Sequence, residues 1–108
     1  MELLSGPRTL QDAVRSRSIV LVQFGAESCA PCKALQAKIK TWNQTCPEVC
    51  HLYVDAAEFP EVCAQLGVFT VPTIFVYVEG KLTLQQSGYF SLDHMLRKIE
   101  TYRRLLEE

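Results

Sequence analysis

The chain lacks a long apolar run, an excess of basic residues and a leader of the charged-then-apolar kind. No stretch approaches the ~18 consecutive apolar residues of a membrane span, so no membrane partner is expected. Its 11 Lys/Arg are scattered among 12 Asp/Glu, for a net charge of −1. Without a basic stripe, nucleic-acid binding has no electrostatic footprint and a polybasic membrane anchor has no basis. Met1 to Pro7 shows no basic start followed by an apolar stretch, so it does not read as a signal peptide, and the cytoplasm is the expected location. There is no internal repeat, low-complexity segment or linker. The 108 residues are expected to form one domain, 1–108. A domain of this size buries roughly two-thirds of its unfolded surface and needs no disulfide or metal to hold it.

Five cysteines are present, an odd count that does not suit a secreted disulfide framework. Two stand apart from the rest. The apolar run Ile19-Val20-Leu21-Val22-Gln23-Phe24 leads through Gly25-Ala26-Glu27-Ser28 into Cys29-Ala30-Pro31-Cys32-Lys33, where a helical pattern begins. A C-x-x-C at a strand-to-helix junction reads as thiol–disulfide chemistry. Cys29 should sit just ahead of the helix, where unpaired N–H groups and the helix dipole favour a negative sulfur. Thiolate is the attacking species, which makes Cys29 the candidate nucleophile. Cys32, in the first turn and nearer the core, is the candidate resolving thiol. Pro31 fixes the helix start and supplies no N–H.

The remaining elements follow from periodicity. Pro7 to Arg17 reads as a helix with Leu10, Ala13 and Val14 on one face. Ile19 to Phe24 reads as a strand covered on both sides. A helix from about Pro31 to Gln44 should bury Leu35, Ile39 and Trp42. Cys50 to Val54 is a strand, and Glu58 to Gln65 a short helix. Thr73–Val78 and Leu82–Gln86 form a hairpin through Glu79-Gly80-Lys81. Ser91 is the N-cap of a last helix. The order α-β-α-β-α-β-β-α implies parallel strands first and an antiparallel hairpin at the end.

With these residues in this order, the chain resembles the thioredoxin-like family over nearly its whole length. The resemblance rests on Val22-Gln23-Phe24, Ala26-Glu27, Cys29-Ala30-Pro31-Cys32-Lys33, the strand ending at Asp55, Val71-Pro72-Thr73, Gly80 and Gly88. It implies an α/β fold of three layers, α/β/α, with a mixed central sheet flanked by helices. It also implies that Pro72 is cis and faces the two thiols, turning the Val71 backbone outward so that a substrate peptide can pair with it. Gly88 either lets a backbone approach the same surface or is an ordinary turn glycine.

Some positions depart from the family pattern. Gly25 and Ser28 stand where aromatic residues are usual, which should leave the site more open and less apolar. Ala30 replaces the usual glycine between the thiols. Gln23 takes the place of a buried acid that, in the family, helps to move the proton of the resolving cysteine; an amide cannot carry that proton. His51 falls where the family commonly has a lysine. It either accepts the proton instead or is a half-buried histidine at a strand end.

Cys46, Cys50 and Cys63 read as small buried residues, with an auxiliary disulfide among them left open. A zinc site on Cys29, Cys32, Cys46 and Cys50 is disfavoured. If the intervening segment is helical, ~14 steps at ~1.5 Å separate the two pairs by ~21 Å. No metal is therefore expected. Tyr53, Phe59, Phe69, Phe75 and Tyr77 read as core and edge packing. The leading function is reduction of protein disulfides through Cys29 and Cys32. It needs no bound cofactor, and an unidentified dithiol reductase or other electron donor resets the pair. The alternative is a redox-weak binding or adaptor module that uses the Pro72 loop surface.

Overall fold

The computed structural model describes residues 1–3 and 7–107, without the side chains of residues 7 and 8. The expected domain bounds 1–108 therefore include residues outside the described ones. Nine elements follow in order: β1 (Glu2–Leu3), α1 (Pro7–Ser16), β2 (Ile19–Gly25), α2 (Ala30–Asn43), β3 (Cys50–Asp55), α3 (Pro60–Gln65), β4 (Thr73–Val78), β5 (Lys81–Ser87) and α4 (Leu92–Leu106). The strands form one mixed sheet in the order β1-β3-β2-β4-β5. The β1–β3 and β2–β3 pairs are parallel; β2–β4 and β4–β5 are antiparallel.

β2 is buried along its whole length, which is why its sequence is apolar at nearly every position. Its side chains alternate between two cores. Val20, Val22 and Phe24 face Leu10 of α1 and Val62 and Cys63 of α3. Ile19 and Leu21 face Ile39 of α2 and Met95, Leu96 and Ile99 of α4. The three layers expected from the sequence are thus present. The same alternation puts Gln23 on the α2 side of the sheet.

Some boundaries differ from the sequence reading. β1 is an edge strand of two residues, too short to show any period. α3 begins at Pro60 rather than Glu58. The Asp55 carboxylate accepts from the Ala57 N–H at 2.9 Å, and its carbonyl accepts from Phe59 at 3.0 Å. That turn occupies Glu58, and the residue before a proline resists helical geometry. The hairpin turns on Glu79 and Gly80, both with positive φ (50° and 82°), as a two-residue turn between right-twisted strands requires. On α2 only Ile39 is fully buried along the face that the sequence assigns to the core. Leu35 and Trp42 are partly exposed, and the Trp42 indole N–H donates to Glu100 on α4 at 3.2 Å. Among the described residues, no helix is long and apolar enough to cross a membrane.

Ile39 is the α2 side chain that fastens this helix to the sheet. Ile39→Ala should cost about 3 kcal/mol in urea unfolding, since a cavity would open in a closed core. A loss below about 1 kcal/mol would show that other contacts hold α2.

Candidate functional site

The site forms where β2 ends and α2 begins. Cys29 is the N-cap of α2, with extended backbone angles. Its Sγ accepts from the Cys32 N–H at 3.2 Å. Pro31 lies in the first turn and has no N–H, and the Cys32 N–H is the donor that meets the Cys29 sulfur. Cys29 and Cys32 are joined in a disulfide, with Cα atoms 5.2 Å apart. The two sulfurs differ in access: Cys29 is partly exposed, whereas Cys32 is wholly buried.

The loop before β4 shares a groove with Pro31, which lies between the two cysteines in the chain. The Val71–Pro72 bond is cis, and Pro72 is buried. Gly88 donates its N–H to the Pro72 carbonyl at 3.0 Å, which ties the start of the last loop to the proline. Among the described residues, the N–H and C=O of Val71 have no hydrogen-bond partner. Pro31, Val71, Pro72 and Gly88 line one groove beside the disulfide.

Gln23 and His51 lie beneath the first turn of α2. The Gln23 Nε2 donates to the Cys32 carbonyl at 2.8 Å. A carbonyl only accepts, so the amide's orientation is fixed and Oε1 faces the Nε2 of His51, 3.4 Å away. His51 must then carry its proton on Nε2, which leaves Nδ1 bare and, among the described residues, without a partner. This chain of donors runs from His51 through Gln23 to the backbone of Cys32, not to its sulfur. His51 is also not half-buried at a strand end. It is 2% exposed, because the strand register puts it under α2. Burial first, and then the N-terminal ammonium, push its pKa down from 6.5 to about 4. It is uncharged at neutral pH.

Tyr53, which the sequence reads as packing, stands at the site. It pairs with Gln23 across β2 and β3 and so shares the α2 face. Its hydroxyl fills the space that a side chain on Gly25 would need. A Cβ there would meet Tyr53 Cζ at 2.8 Å and Cys32 Cβ at 3.1 Å. Gly25 is therefore small because a tyrosine from the next strand closes over it. Sequence pattern does not reveal this, since it depends on strand register. Burial, and then the carboxylates of Asp55 and Glu27, push the Tyr53 phenol above its ordinary range.

Phe69 is a correction to the sequence reading: it is 81% exposed rather than packed. Tyr89, next to Gly88, exposes its whole ring at the edge of the groove. Cys46, Cys50 and Cys63 are free and buried. Burial pushes the Cys50 and Cys63 thiols up, which disfavours the thiolate form. Helix α2 stands between the Cys29/Cys32 pair and Cys46/Cys50. Among the described residues, no group of three His, Cys, Asp or Glu is placed to hold a metal.

The family profile described as Thioredoxin matches residues 5–101. The chain belongs to the thioredoxin family. It is 33% identical over 78 residues to Thioredoxin-2 of Pyricularia oryzae, covering 72% of this chain and 46% of that protein. Against Thioredoxin-1 of Schizosaccharomyces pombe, a further relative, it covers 61% of that protein. The thioredoxin of Chlamydia muridarum is 30% identical over 92 residues, covering 85% of this chain and 89% of the relative. Among solved structures, a mutant thioredoxin from Halobacterium salinarum superposes with a TM-score of 0.85 at 25% identity, over 94% of this chain and 88% of that one. The chain thus spans only about half to three-fifths of the first two relatives, but nearly all of the chlamydial one.

Two outcomes test this site. The unfolded chain protonates His51 near pH 6.5 and the folded chain near pH 4. Stability is therefore full above pH 6.5 and falls as pH drops through that window, by about 3 kcal/mol in total. Urea unfolding across this range should show a steeper fall for wild type than for His51→Gln; equal slopes would mean that His51 is not held neutral. Gly25→Ala should destabilise by about 1–3 kcal/mol through overpacking, and a smaller residue at position 53 should relieve it. Additive effects in the double variant would contradict the contact.

Proposed function

We propose that the chain is a thiol–disulfide oxidoreductase that reduces protein disulfides through Cys29 and Cys32. The observation that carries this reading is the bonded pair at the start of α2, with one sulfur accessible and the other buried. In the reduced state the Cys29 thiolate attacks one sulfur of a substrate disulfide. A Cys29–substrate disulfide forms and one substrate thiolate leaves, taking up a proton. Cys32 then loses its proton and attacks Cys29 Sγ. The Cys29–Cys32 bond forms and the second substrate thiolate leaves. Two electrons pass from the dithiol to the substrate, and a dithiol reductase or another thiol donor returns them. No resident cofactor takes part.

Val71 would hold the substrate. Its unpaired N–H and C=O suit an extended peptide added as a short strand beside Pro72. Pro72 and Gly88 would shape that surface, and Pro31 would fix the start of α2. Gln23 and His51 would act on the first turn of α2 rather than on the proton. An amide cannot take the proton of Cys32, so in this reading that proton leaves to water or to the departing thiolate. The reading is of one domain working in the cytoplasm, where a dithiol reductant is kept reduced. Protein disulfides are its partners; a net charge of −1 supports neither nucleic acid nor membrane.

Dithiol-driven insulin reduction tests the proposal. The wild type should accelerate it, and Cys29→Ser should abolish the acceleration. Cys32→Ser should accumulate a mixed disulfide at Cys29, visible as the summed mass. An inert wild type would favour the adaptor reading of the Pro72 loop surface.

A further inference from the structure

The groove beside the disulfide has a volume of about 380 Å³ and an uneven lining. One wall is a single face of α2. Pro31, Ala34, Leu35 and Lys38 lie on it, at the i, i+3, i+4, i+7 spacing that puts side chains in one row. Opposite stand Pro72, Tyr89 and Phe90. Lys38 carries the one charge among the lining residues. Its ammonium forms no ion pair among the described residues. Asp93 shares the neighbouring hollow with Lys38, but the two are not paired. Tyr89, 103% exposed, rests its ring on nothing. A rigid ring with a polar tip, standing free at a groove edge, is the kind of side chain that anchors a partner at low entropic cost.

Resting on the oxidoreductase reading, we propose that this groove selects disulfides by their flanking sequence. Tyr89 and Lys38 favour an extended segment that is apolar beside the attacked cysteine and acidic about three residues from it. The spacing follows from the helix. Lys38 lies seven residues beyond Pro31, or ~10.5 Å along the axis. An extended chain covers that in about three residues at ~3.3 Å each. The free N–H and C=O of Val71, on the same groove, would pair with the substrate backbone and keep it extended. Its apolar side chain then meets Tyr89, Pro72 and Leu35, and its carboxylate meets Lys38. A cationic side chain at the same place would be left facing an ammonium.

The test uses cystine-bridged peptides with Leu beside one cysteine and either Glu or Lys at the third residue from it. Pairs are made with that residue on each side of the cysteine, and initial reduction rates are followed by chromatography at low salt. On one side, the Glu peptide should be reduced about three- to tenfold faster than its Lys twin, the scale of one exposed charge pair exchanged for a repulsion. High salt should shrink the ratio, because exposed charges are screened. Lys38→Glu should invert it. Tyr89→Ala should raise KM for both peptides more than it lowers kcat. Glu and Lys peptides reduced equally on both sides, or a ratio that Lys38→Glu leaves unchanged, would overturn the selection and leave the oxidoreductase standing. If neither peptide is reduced, the oxidoreductase reading falls, and the selection with it.

Discussion

One sulfur caps one helix, and the rest of the molecule serves that contact. Cys29 accepts the Cys32 N–H of the opening turn of α2 in the bonded state, and a thiolate at the same N-cap would meet the same helix end. A helix start favours negative charge only if it stays put. Here it is held at several points. Ile39 fixes the middle of α2 to the sheet, and the Trp42 indole joins its far end to α4. Gln23 holds the Cys32 carbonyl from below. β2, buried on both faces, delivers the chain to the same place from the other direction.

The buried polar pair behind the site follows from charge. A carboxylate at position 23 would be an ionisable group in a closed core; an amide is not. Gln23 both donates and accepts, so it can join the Cys32 carbonyl to a neutral His51. That arrangement is satisfied except at Nδ1 of His51. It favours rigidity over proton transfer.

Much of this is legible in the sequence, for reasons that differ by element. The β2 strand is visible as an unbroken apolar run, and the helix after it through the spacing of Leu35, Ile39 and Trp42. The hairpin is visible through Glu79-Gly80. The Cys29/Cys32 pair stands out because its spacing sits at a strand-to-helix junction. What stays hidden depends on contacts between distant residues. Tyr53 closes over Gly25 because the β2–β3 register pairs it with Gln23 and points it at α2. His51 is deep rather than half-exposed by the same register. β1 is too short to carry a pattern. Nothing in the sequence marks Phe69 or Tyr89 as exposed, because an aromatic residue in a loop reads the same whether it faces the core or the solvent.

The most direct measurement is the pH dependence of Cys29 alkylation in the reduced protein, with the modified residue identified by mass. A sulfur favoured as an anion should react with a midpoint well below the ~8.5 of a free cysteine, while Cys32 remains unmodified in that range. A Cys29 midpoint at or above the free value, or Cys32 reacting first, would contradict the account.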